Sequence, residues 1–143
     1  MGTYLNAETE RRGEISSPRL NELTGIITDS AIEVHRYHGG PGVLEGVYEE
    51  SLVEELRLRG LDAKAQVCVP VQYKGKQLGS MLRLDILVEN EIIVECKAVE
   101  KFNTIFKSQL LTHLRSTGLR VGLLINFGEA YVSKGIYRVV NGL

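Results

Sequence analysis

Residues 81–99 read MLRLDILVENEIIVECKAV, two apolar-rich runs joined by Glu89-Asn90-Glu91. Side chains alternate sides along a strand. Leu82, Leu84, Ile86 and Val88 therefore share one predicted face of the first run, and Arg83, Asp85 and Leu87 the other. In the second run Ile92, Val94, Cys96 and Ala98 share a face, and Ile93, Glu95 and Lys97 take the opposite one. A three-residue loop pairs Val88 with Ile92, which sets Asp85 opposite Glu95 and Arg83 opposite Lys97. A one-residue slip would put the two carboxylates on opposite faces. Asn90 suits such a loop because asparagine tolerates the left-handed conformation.

Two carboxylates facing each other across a ladder repel by roughly 0.2–1 kcal/mol when exposed, and by more when partly buried. Arg83, Lys97, a shared proton or a bound divalent cation could offset this. Working outward, Leu20 to Tyr37 carries helical spacing (Leu23, Ile26, Ile27, Ala31, Val34) and stops at Gly39-Gly40-Pro41-Gly42. A second helix is predicted from Leu44 to Arg59, ended by Gly60. Glu45, Tyr48, Leu52 and Leu56 fall in one stripe of it, so Glu45 is expected to face the sheet. There it would need an arginine, backbone N–H groups or a metal. Val67 to Tyr73 reads as a strand, and Lys74-Gly75-Lys76 as a turn into a strand from Leu78 to Val88. Thr104 to Thr117 is a helix with Phe102 just before it, and Ile105, Phe106, Gln109 and His113 on one inward stripe. Val121 to Phe127 is a buried strand, and Gly135 to Val140 one further short strand.

The chain has 143 residues, 43% apolar and 24% charged, which suits one core-forming domain. Residues 1–19 lack an apolar period and read as a flexible tail; residues 20–143 form the domain. No run is apolar enough for a membrane span, and the polar N-terminus is not a secretory signal. The expected location is cytoplasmic, which suits two cysteines, Cys68 and Cys96, without metal-site spacing. Net charge is −1 but uneven: residues 1–56 carry −7 and residues 57–120 carry +5. A basic second half could face phosphates. Gly39 to Gly42 lacks the Lys-Ser/Thr ending of a phosphate loop and reads as a turn. Ser51 and Ser108 show no His/Asp setting in the sequence.

Asp85 followed by Glu95-Cys96-Lys97 on a neighbouring strand resembles the D…E-x-K core of the PD-(D/E)XK nuclease superfamily. Gly42-Val43-Leu44-Glu45-Gly46-Val47-Tyr48 is similar to the G-x-x-E-x-x-Y signature of the GxxExxY family. The resemblance covers about residues 20–143, including Gln109-Leu110-Leu111-Thr112 and Leu123-Leu124-Ile125-Asn126-Phe127. It implies an α/β restriction-endonuclease-like core: helix, three-stranded antiparallel hairpin sheet, helix, strand. It also implies Mg²⁺ or Mn²⁺ on Asp85 and Glu95, helped by the carbonyl of Cys96, with Glu45 contributing directly or through water. Lys97 would orient the attacking water. Gln109 resembles the glutamine of a Q-x-x-x-Y motif, whose tyrosine position here holds His113. The implied partner is nucleic acid, DNA or RNA, and homo-oligomerisation or a protein partner would supply specificity that so small a domain lacks. Two functions follow: a divalent-metal-dependent nuclease, or a non-catalytic binding or assembly module on the same fold. Lys64, Lys74, Lys101, Lys107 and Arg115 are the expected basic walls of an open nuclease cleft.

Overall fold

The computed structural model describes residues 17–142; residues 1–16 of the expected tail (1–19) lie outside them, and its last three residues cap and open a helix. Helix α1, Pro18–Tyr37, begins two residues before the apolar period does. Ser17 caps it by accepting from the Leu20 N–H, and Pro18 in the first turn has no N–H left to satisfy. Helix α2 is Glu45–Leu58 and helix α3 is Ile105–Thr117, the latter ended by Gly118 at φ 74°. The strands are β1, Ala63–Tyr73; β2, Lys76–Val88; β3, Ile92–Lys97; β4, Val121–Asn126; and β5, Ile136–Val140. They lie in one sheet in chain order. All neighbours are antiparallel except β3 and β4, which run parallel with α3 as the crossover.

The sheet separates two apolar layers. Helices α1 and α2 cover one face, packing Leu23, Ile27, Val34, Tyr48, Leu52 and Leu56 against Ile86, Val88, Ile92, Val94 and Cys96. On the other face, Leu110, Leu111 and Leu114 of α3 meet Leu84, Ile93, Leu124 and Val139. The expected β2–β3 register is present, with Val88 opposite Ile92. Glu89 and Asn90 take φ of 54° and 56° in the loop, and the Glu91 N–H closes the turn on the Val88 carbonyl.

Leu84 departs from the expected face. It packs under α3, whereas Ile86 and Val88 pack under α1 and α2. The reversal has a local cause. The β1–β2 ladder pairs Ala65 with Ile86 and Val67 with Leu84 but skips the position between, Gln66 against Asp85. Gln66 sits there at φ 56°, a left-handed conformation that costs about 1–2 kcal/mol for a side chain like this. The face reversal falls at the same point, so Asp85 occupies a break in the sheet rather than a regular ladder position.

Candidate active site

The β2–β3 ladder runs only from Val88–Ile92 to Ile86–Val94. Beyond Ile86 a side-chain bond takes over: the Cys96 N–H donates to Asp85 Oδ2 at 2.9 Å. The expected Arg83–Lys97 pairing does not form, because the ladder ends first.

Glu95 is 9% exposed, and its Oε2 lies 3.1 Å from His113 Nδ1. Burial pushes its carboxyl above the ordinary carboxylate range; the His113 bond opposes that shift, and the nearby charge of Asp85 adds to it. His113 is thus turned inward as its helical stripe predicts. Lys97 is half-buried and puts its Nζ 4.5 Å from the centre of the Phe106 ring, a cation–π contact from α3. Its backbone oxygen accepts from the Phe127 N–H at 2.7 Å. Asn126, fully buried, locks the segment after Lys97 by bonding both the N–H and the carbonyl of Val99 at 3.0 Å.

Two expectations about orientation fail. Glu45 is exposed, being the first residue of α2, while Tyr48, Leu52, Val53 and Leu56 make its buried face. At a helix N-terminus a carboxylate meets the positive end of the helix dipole and needs no buried partner. Gln109 is exposed as well, and so is Ile105. The buried stripe of α3 centres on Leu110, Leu111 and Leu114, so Phe106 and His113 lie along its flank and Gln109 beyond it.

Glu49 was not anticipated. One turn after Glu45, it is half-buried and accepts from the side-chain amide of Gln66. Burial raises its carboxyl, the Gln66 bond opposes this, and the charges of Asp85 and Glu45 raise it further. The i, i+4 spacing of Glu45 and Glu49 was the available signal. The buried Cys96 thiol registers the whole group: burial pushes it well above the ordinary thiol range, and Asp85, Glu49, Glu95 and Glu45 each push in the same direction. All four carboxylates are therefore near enough to act on the Cys96 end of β3. Of the expected basic walls, Lys64 bonds Asn90, Lys107 lies over the Tyr137 ring and Lys74 over its neighbour Tyr73. Lys101 and Arg115 are exposed.

Among the described residues, no three of His, Cys, Asp and Glu converge as a ready metal cage. The donor chemistry nevertheless suits a hard cation. Asp85 and Glu95 offer carboxylate oxygens, and the strain between them is of the sign a divalent ion relieves.

A helix-flanked mixed sheet with an Asp on one strand and Glu-x-Lys on the next defines a nuclease-like α/β domain. The family model of the PD-(D/E)XK nuclease superfamily matches residues 21–139, and the chain belongs to that superfamily. Among solved structures it is similar to the crystal structure of SSO0001, with a TM-score of 0.53 and 18% identity. That match covers 68% of this chain and 50% of the other, and at this identity it speaks for the fold. No curated protein matches the chain. No helix among the described residues is long and apolar enough to cross a membrane.

Proposed function

We propose that this chain is a divalent-metal-dependent nuclease of the GxxExxY group that hydrolyses phosphodiester bonds of nucleic acid in the cytoplasm. The observation that carries the proposal is the break between β2 and β3, where Asp85 comes close to Glu95, two residues before Lys97 on β3. Asp85 and Glu95 would hold Mg²⁺ or Mn²⁺, with the Cys96 carbonyl adjoining and Glu45 or Glu49 contributing from α2. Once bound, such an ion polarises the phosphoryl oxygen and lowers the pKa of its water. His113 orients the Glu95 carboxylate through its Nδ1. Lys97 is held by Phe106 within the same strand end and supplies positive charge for the attacking water and the phosphate. Gln109, exposed one turn before His113, would meet substrate rather than metal.

The reading of a non-catalytic binding module draws support from the same side chains. Asp85 and Glu95 already hold protein groups, and Lys97 is engaged by an aromatic ring.

Labelled single- and double-stranded DNA and RNA, incubated in Mg²⁺ and in Mn²⁺ with wild type, Asp85→Ala and Lys97→Ala, separate the two. Metal-dependent cleavage that falls at least a hundredfold in both folded variants is expected. A folded wild type that cleaves none of these substrates leaves the binding module in place.

A further inference from the structure

The outer half of the β1–β2 hairpin has no assigned role. Every residue from Gln72 to Met81 is exposed, although the strands stay paired, with Gln72 opposite Gln77 and Tyr73 opposite Lys76. A two-stranded ribbon that packs on nothing is marginal alone; this one is rooted in the core through Val67 and Val69, which meet the α3 layer. Its tip is a tight turn with Lys74 at φ 49° and Gly75 at φ 83°, the paired left-handed geometry that matches strand twist. Tyr73 is 60% exposed and Met81 52%.

Charge makes the ribbon unusual in this chain. Residues 63–84 contain Lys64, Lys74, Lys76 and Arg83 and no Asp or Glu, within a protein of net charge −1. Lys64 is engaged at the base by Asn90, and Arg83 lies near Glu49, whose carboxyl it lowers. Lys74 and Lys76 remain at the tip, flanked by Gln72 and Gln77.

We infer that this ribbon is an arm that docks in the major groove of B-form DNA, separate from the carboxylates and contributing binding rather than chemistry. The choice of DNA as partner rests on the nuclease reading above. Three features favour it. The B-DNA major groove, about 12 Å wide, admits a two-stranded ribbon whose strands lie about 4.8 Å apart. Lysines at the tip meet phosphates, and glutamines pair with base edges such as adenine. A second copy is disfavoured as occupant: β1 is the edge strand, but Pro70 and the register shift between Pro70 and Gln72 interrupt strand addition there. The major groove of A-form RNA is too deep and narrow for such an arm.

The test is fluorescence anisotropy of labelled duplex DNA, duplex RNA and single strands with the full chain in EDTA, where no cleavage occurs. Wild type is compared with the double variant Lys74→Asn/Lys76→Gln, whose exposed sites and left-handed-tolerant asparagine preserve the turn; unchanged melting confirms this. The arm predicts tightest binding to duplex DNA, weakened roughly tenfold by the double change near physiological salt. The slope of log K against log salt should fall by about 1.8, from two lost phosphate contacts. Equal slopes for the two proteins, tighter binding to RNA or single strands, or no binding at all would overturn it. A parallel Mg²⁺ cleavage assay keeps the readings apart. Cleavage with an unchanged salt slope removes the arm alone, and groove binding without cleavage removes the nuclease alone.

Discussion

Glu95 shows how much one buried carboxylate controls. With its pKa raised by burial and by Asp85 beyond what His113 restores, it holds its proton more tightly folded than unfolded. Below the ordinary value of 4.5 both states are protonated and the group is neutral in stability. As pH rises through that value the unfolded chain ionises first, so the native state loses stability until the folded carboxyl ionises too, and the loss then stays constant. Glu95→Gln removes the charge while leaving an oxygen for His113. Its melting midpoint is therefore expected to exceed wild type by a few degrees at pH 7 and to match it near pH 4, while cleavage is lost. Melting curves of both proteins across pH 4–8 check this. A wild type that melts higher at pH 7 would mean that the His113 bond outweighs burial.

At the scale of elements, the G-x-x-E-x-x-Y segment acts as a hinge clasp between α1 and α2. The Tyr48 hydroxyl donates to the Gly40 carbonyl at 2.6 Å and accepts from the Val43 N–H at 3.2 Å, and its ring stacks on Phe127 at 4.6 Å. Gly42, at φ 114°, makes the turn that lets the chain enter the helix at Glu45. Tyr48→Phe keeps the stack but strands two backbone groups, a cost of about 1–3 kcal/mol, measurable as a lower denaturation midpoint at unchanged m-value. If the loop is clasped by something else, that midpoint will not move. Helices, strands and the β2–β3 register were legible in the sequence because apolar period and loop length set them. The faces of Leu84, Glu45 and Gln109 were not. Leu84 turns on the left-handed Gln66 in a different strand. Glu45 and Gln109 lie at the end or flank of a stripe whose centre is set by tertiary packing, which period alone does not locate.

For the molecule as a whole, the candidate site was legible as a set of residues but not as an arrangement. Asp85, Glu95 and Lys97 could be named from strand alternation. That Asp85 sits where two strands part, that His113 reaches Glu95 and that Glu49 joins the group all depend on contacts between residues far apart in sequence. With such an arrangement, the proposed metal binding would be coupled to folding. A cation that neutralises Asp85 and Glu95 binds the native state and not the unfolded chain, so it stabilises the whole domain by mass action. At a hundred times Kd the gain is about 2.7 kcal/mol, several degrees in midpoint for a chain of this size. Thermal melts in rising Mg²⁺ or Mn²⁺ should therefore show a saturating increase for wild type. The increase should vanish in Asp85→Ala and shrink in Glu49→Gln if α2 contributes a ligand. Calcium, which binds carboxylates in roomier geometry, should also stabilise without supporting cleavage. An increase that persists in Asp85→Ala would place the ion elsewhere, because only an ion between β2 and β3 requires that carboxylate.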